Sequence, residues 1–220
     1  MIEALVIDEK SPSELRFDQG GEAVVFDTTQ TKELLSRKVV ISNNTKLRWY
    51  GVVAGNSEYS LQFDTQSGES IVRTLLLSTK NEQLKMTVRS VLSQSNTVSN
   101  IHVLSLVGES GVIILNGTVQ IDADITKVKG HILEENIFLG SKGNIRGIPS
   151  LLVHSDDVEA GHAARIERVS DEKLYYLRSR GIPRDDATVM MIESAVAGLF
   201  DGVDEKYRQD TLAKVMQLFY

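Results

Sequence analysis

The sequence predicts a mainly β protein, a solenoid of stacked strands rather than a hairpin sandwich, followed by a small C-terminal α-helical domain. Three observations carry that prediction. Short segments rich in Val, Ile, Leu, Thr and aromatic residues recur from about Glu3 to Val153, each ending in Gly, Asn, Ser or Asp. No proline lies between Pro12 and Pro149, which suits sheets that use every backbone N–H. Past Val153 the apolar spacing changes to a helical period.

Residues 1–37 read as strands with a short helix near residues 31–37, leading into a β core over residues 38–155. Core strands are expected at 38–42, 47–53, 59–63, 71–77, 84–91, 101–106, 112–115 and 118–121. Alternation is plain in Leu84-Lys85-Met86-Thr87-Val88-Arg89 and in Thr118-Val119-Gln120-Ile121, so one face is buried and the other solvated. The absence of helical periods across the core argues against a βαβ architecture. Its turns are small, polar and irregular, without the Asn-Gly or Asp-Gly pairs of tight hairpins, and that favours a solenoid. No exact hexapeptide repeat occurs, which argues against a left-handed acyltransferase helix. Gly108 and Gly117 read as turn glycines.

Residues 156–220 form a junction and the helical domain. Ser170 is placed to cap a helix with Asp171 and Glu172 in its first turn and Arg178 and Arg180 in its last. Gly181 and Pro183 then stop it. A second helix is expected from Arg184 or Asp185 to Phe200, with Val189, Ile192, Val196 and Leu199 on one face, until Asp201-Gly202 breaks it. A third, from about Asp204, carries Tyr207, Leu212, Val215, Met216 and Phe219 as its apolar positions.

Composition narrows the function. The 220 residues include 41% hydrophobic and 25% charged side chains, carry a net charge of -6 and contain no cysteine. Thiolate metal sites, disulfides and cysteine nucleophiles are thereby excluded, and any metal must be held by His, Asp, Glu, carbonyl or water. The acidic balance argues against general binding of nucleic-acid phosphates. No apolar run approaches a membrane span, and the N-terminus has no secretory pattern, so a soluble, cytoplasmic chain is expected. No phosphate-binding G-x-x-x-x-G-K-[ST] loop and no G-x-S-x-G elbow is present.

Four histidines remain. His102 reads as a strand histidine with a local partner. His131, followed by Glu134 and Glu135, raises a polysaccharide-cleaving site, but such a site needs several carboxylates converging on one bond, and the one conspicuous pair, Asp156 and Asp157, stands in the wrong order relative to His131. His154 and His162 bracket Asp156 and Asp157. Strand alternation puts His154 and Asp156 on one face and Asp157 on the other, while His162 follows Gly161, where a bend is expected. On these grounds the chain is a binding or scaffold protein.

One stretch is more specific. Glu159-Ala160-Gly161-His162-Ala163-Ala164, preceded by Ser150-Leu151-Leu152-Val153 and Asp156-Asp157-Val158 and followed by Leu174-Tyr175-Tyr176-Leu177-Arg178-Ser179-Arg180-Gly181-Ile182, resembles the C-terminal junction of the SufB/SufD family. Glu135-Asn136-Ile137-Phe138-Leu139-Gly140 is similar to that family's small apolar stretch. These proteins are scaffolds of SUF-type iron–sulfur cluster assembly. The resemblance implies a right-handed parallel β-helix with a helical domain. It implies a homodimer, or a heterodimer with a second SufB/SufD-type subunit, formed through the β-helix. The partner it implies is a SufC-like ABC ATPase bound by the helical domain, so that ATP is used only through the partner and the chain itself is not an enzyme. Iron or a transient iron–sulfur cluster would be handled at the dimer interface, with His162 at the family's interface histidine and Glu134 where SufB-type members carry a sulfur-accepting cysteine. Leu174, Tyr175, Leu177, Arg178, Arg180, Ile182 and Met190 would contact the ATPase. The sequence departs from both types where sulfur chemistry needs a thiol: Ala163 replaces the SufB-type glutamate, and Ala160 a SufD-type cysteine. A chain without thiols cannot carry a persulfide. Two readings inside the family follow, a SufD-like partner of a separate SufB or a minimal homodimeric scaffold favoured by the short length. Outside it stand a β-solenoid interaction module without an iron role and, after it, a carbohydrate-active β-helix enzyme.

Overall fold

The computed structural model describes residues 4–169 and 171–219. Its first strands are β1 (Ala4–Ile7), β2 (Glu14–Phe17), β3 (Gly21–Asp27), β4 (Leu34–Ile41), β5 (Thr45–Ala54), β6 (Ser57–Thr65) and β7 (Gly68–Ser78). There follow β8 (Gln83–Leu92), β9 (Thr97–Val107), β10 (Val112–Ile121), β11 (Val128–Phe138), β12 (Asn144–Gly147), β13 (Ser150–Val153) and β14 (Val158–Arg168). The chain passes alternately between two sheets, one ordered β1-β3-β5-β7-β9-β11-β14 and the other β12-β10-β8-β6-β4-β2, with β13 also on β10. Every ladder is parallel, from β1 on β3 to β11 on β14. An antiparallel sandwich is therefore excluded.

Successive passes stack the same side of the pleat, so inner positions bury together. Trp49, Phe63, Leu47, Leu61, Val72, Leu84, Val88, Ile101, Leu115 and Ile132 fill the space between the sheets, with Trp49 meeting Phe63 edge to face at 5.3 Å. At about 1.5–3 kcal/mol for each large apolar side chain, this burial is the main stabilising term. The tight corners use residues in the left-handed region, among them Asn43, Asn44, Asn81 and Asn96. Gly68, at φ +99, has no alternative: a Cβ there would lie 2.2 Å from the Thr45 carbonyl oxygen.

Three sequence expectations need correction. Residues 31–37 contain no helix, and Leu34–Ile41 is β4. Leu35 packs against the core, and its register partner is the buried Tyr59, so pairing overrides the helical propensity of Lys-Glu-Leu-Leu. The parallel ladders consequently begin at Ala4 and continue to Arg168, beyond the 38–155 core. The segments 112–115 and 118–121 are one strand, β10, and Gly117 lies inside it rather than in a turn.

Arg37 organises the N-terminal end. Fully buried, it donates to the carbonyls of Asp8, Ser11 and Pro12, to the Thr29 hydroxyl at 3.0 Å and to the Tyr59 hydroxyl at 2.6 Å. Tyr59 in turn donates to Asp27 at 2.8 Å.

The helical domain comprises α1 (Asp171–Ser179), α2 (Arg184–Leu199) and α3 (Glu205–Phe219). The capping role expected of Ser170 lies outside the described residues. Gly181, at φ +84, closes α1 with its N–H on the Arg178 carbonyl, and Gly202, at φ +76, follows α2. Asp204 accepts from the N–H groups of Lys206 and Tyr207 at the start of α3. The domain sits on the outer face of β5, β7 and β9, where Tyr50, Val52, Leu75, Leu77, Leu104 and Leu106 meet Ile192, Val196, Leu199, Phe200 and Val215. Those half-strands are buried on both faces and so lose their alternation.

Candidate functional site

The strand that ends the first sheet carries the candidate histidine. Among the described residues β14 pairs on one side only, with β11, and it runs unbroken through Gly161 and His162. The expected bend is absent. Gly161 instead makes room for the His131 ring, which lies 3.3 Å from where a Cβ would stand. His162 is in register with Ile132, a core residue, so both project from the inner face of the sheet. With no further strand described beyond it, His162 is exposed there, as are its face mates Ala164 and Ile166.

The ring of His162 is oriented. Its Nδ1 lies 2.9 Å from the carbonyl oxygen of Pro149, in the link between β12 and β13. A carbonyl only accepts, so Nδ1 carries the hydrogen in the neutral ring and Nε2 presents its lone pair. That tautomer suits a metal ligand.

Glu134 is placed differently from expectation. It projects inward from β11 and is 1% exposed, two residues along from Ile132 and in register with Ala164. Gly117 on the facing strand β10 leaves the space for it, since a Cβ there would stand 2.5 Å from Glu134 Oε1 and 2.4 Å from Ile132 Cδ1. Glu134 Oε1 has no hydrogen-bond partner, and burial pushes the carboxyl up to about 7, opposed only by a hydrogen bond with the Gly117 backbone. Glu134 and His162 thus share an inner face on adjacent strands, one in the interior and the other at its open end. Their carboxylate and imidazole are credible ligands for ferrous iron, with His162 the accessible one.

Around this end the apolar surface is unusually open. Ile148 is 82% exposed and Ile166 75%, and Leu152 and Val153 of β13 are exposed as well. The opposite face of β14 is polar: Arg165 bridges Glu135 and Glu167 at 3.1 Å each, and Glu135 holds His102 Nε2 at 2.7 Å. Sequence reading assigned His102 a local partner, and Glu135 is that partner. Behind this row lies a cleft of about 630 Å³ whose other wall is α1 and α2.

The other candidates scatter. His131 faces outward, 4.0 Å from Glu159, and among the described residues no three metal-ligating side chains cluster. Of the helical residues, Tyr175, Tyr176 and Met190 are largely exposed, while Leu177 and Met190 line the cleft. Arg178 and Arg180 are exposed, and the Arg180 guanidinium lies 5.1 Å from the Tyr176 ring centre. Leu174 is fully buried against Val169 and Ala187, and Ile182 packs on the same cluster, so Leu174 seats the helix and offers no surface for contact. Sequence reasoning missed Gly117 and Pro149, whose parts depend on contacts between distant strands.

Comparison with known proteins decides the family. Residues 23–195 match the family model described as "SUF system FeS cluster assembly, SufBD core domain". This chain belongs to the SufB/SufD family. It is 29% identical, over 72% of its length and 38% of the relative's, to "Iron-sulfur cluster assembly protein SufD" of Escherichia coli K12. It is 27% identical over 69% of its length to an "Iron-sulfur cluster assembly SufBD family protein" of Archaeoglobus fulgidus, covering 41% of that protein. To "Iron-sulfur cluster assembly protein SufB" of Bacillus subtilis it is 22% identical over 72% of its length and 35% of the relative's. The chain therefore spans about two fifths or less of these SufB/SufD relatives. No described helix is long and apolar enough to cross a membrane.

Proposed function

We propose that this chain is a non-catalytic scaffold subunit of a SUF-type iron–sulfur cluster assembly complex. The alternation of passes between two parallel sheets is read as one right-handed β-helix, with the unpaired edge of β14 as its dimerisation surface. The observation that carries the proposal is the placement of His162: an oriented imidazole with a free Nε2, on the inner face of an edge strand, beside exposed Ile148 and Ile166. An exposed edge with apolar neighbours is a hazard unless another chain pairs with it. A second SufB/SufD-type subunit, identical or not, joins there and brings its own strand end to the same seam.

Iron or a nascent cluster is then cargo held between subunits, with His162 as the principal ligand and Glu134 as a second one reached from the interior. Sulfur comes from elsewhere, because this chain has no thiol. A SufC-like ABC ATPase docks on the exposed face of α1 and α2 through Tyr175, Leu177, Arg178, Arg180 and Met190, and ATP is consumed only there.

The test is assembly. Ile166→Glu places a charge on the edge strand without touching the packed core. In sedimentation velocity the substitution should shift the complex toward single scaffold subunits and leave the melting temperature of the isolated chain within a few degrees. An unchanged dimer would remove β14 from the interface.

A further inference from the structure

On the outer face of the first sheet, charges of alternating sign run up to the edge strand. Lys129 of β11 is in register with Glu159 of β14, its ammonium 2.6 Å from the carboxylate. Further along β14, Arg165 is in register with Glu135 and bonds it at 3.1 Å. The edge therefore ends on an anion at one level and on a cation at another. Both side chains remain largely open, 60% and 65% exposed. His162 lies midway between them.

Symmetry gives that spacing a consequence. A two-fold axis normal to the sheet joins two copies of one edge strand antiparallel, inner face to inner face. Centred on His162, such a pair sets Glu159 of each copy opposite Arg165 of the other. The row then reads Lys129, Glu159, Arg165, Glu135 across the seam, with no like charges adjacent. On the inner face Val158 meets Ile166, Ala160 meets Ala164, and the two His162 side chains face each other. On the outer face Gly161 meets Ala163, a small pair beside the His131 ring that lies over Gly161. Just beyond this span Asp156 comes opposite Arg168 and Asp157 opposite Glu167, one contact favourable and one not. Each match occurs twice.

Neighbouring registers lack this fit. Opposed residues must share a face, so the axis moves along the strand one residue at a time. Centring on Gly161 sets Ile166 opposite Asp156 and parts Glu159 from Arg165. Centring on Ala163 sets Glu159 opposite Glu167, and like charges directly opposed are destabilising. Centring on Ala164 leaves Arg165 opposite Ala163 and His162 opposite Ile166.

We propose that β14 is complementary to itself, and that the subunit joined to it is a second copy of this chain, antiparallel and centred on His162. The inference rests on the dimerisation edge proposed above and adds the partner's identity and the register.

The test uses the lack of cysteine. Directly opposed residues of an antiparallel pair have Cα atoms about 4.5–5.5 Å apart, within the range of a disulfide. His162→Cys supplies the only thiol in the chain. Mild oxidation of the full chain should then convert most of it to a covalent dimer. Ala164→Cys alone should give little, whereas an equal mixture of Ala160→Cys and Ala164→Cys chains should be linked again. Charge reversal is the independent arm, read by sedimentation velocity with a melting curve for each variant. Glu159→Arg and Arg165→Glu should each weaken self-association at least tenfold. Mixing the two variants should restore dimers, because every opposed pair is then again of unlike sign. Cross-linking strongest through Ala164→Cys overturns the register. A chain that stays monomeric at every concentration overturns the second copy as partner. If Ile166→Glu nevertheless disrupts assembly with a non-identical SufB/SufD-type subunit, the edge reading stands without the self-pairing. A dimer unchanged by Ile166→Glu removes both.

Discussion

Glu134 is held in a setting that makes its charge costly. Its carboxyl titrates at about 7 in the folded chain against 4.5 unfolded, because burial disfavours the anion. Between these values the folded state binds the extra proton, so its contribution is fully present below about 4.5 and is lost as pH rises through about 7. Metal-free protein should therefore lose up to about 3 kcal/mol of unfolding free energy from this group between pH 5 and 8. Glu134→Gln should flatten that slope, as urea unfolding at the two pH values will reveal. Arg37 is the opposite case, a buried charge whose donors are well matched. Arg37→Met would remove the cation beside Asp27 and a donor from each of three carbonyls, and should cost about 3–5 kcal/mol, read as a lower denaturant midpoint. Arg37→Lys should recover little of it, since an ammonium cannot reproduce the fork. Neither environment was legible in the sequence. Glu134 owes its burial to a glycine on the facing sheet, and Arg37 stood in a stretch whose composition suggested a helix.

At the scale of elements, strands with one wet face were the most readable: the alternation of 84–89 is that of β8. The halves of β5, β7 and β9 beneath the helices signal themselves instead by runs such as Leu75-Leu76-Leu77, which mark burial on both sides. The helices were legible from their stops, Gly181-Ile182-Pro183 and Asp201-Gly202, and from the apolar positions expected in α2 and α3, which pack on the core with the exception of Val189. The link between β12 and β13 that positions His162 had no sequence signal, because a carbonyl contact does not depend on residue type. Removing everything after Val169 would uncover Tyr50, Leu75 and Leu104, so it tests docking poorly and should instead aggregate the chain. Point changes on α1 are cleaner. Tyr175→Ala with Tyr176→Ala should leave the melting temperature nearly unchanged and weaken ATPase capture at least tenfold, as judged by co-purification at matched concentrations.

For the whole molecule, the unequal spacing of equivalent positions Lys46, Glu69, Val98, Lys129 and Glu159 explains why no exact repeat betrays the stack. The family resemblance filled that gap, and residues 23–195 now confirm it. In the assembly proposed above, two subunits would share at one seam a ligand set that neither holds alone. The account stands on His162 at that seam. The deciding measurement is iron content, with a melting curve, of the purified scaffold–ATPase complex carrying His162→Ala. The account predicts that iron or cluster retention falls severalfold while the melting temperature stays within a few degrees. Unchanged iron with a lowered melting temperature would contradict it, leaving His162 as a brace on the Pro149 carbonyl and nothing more.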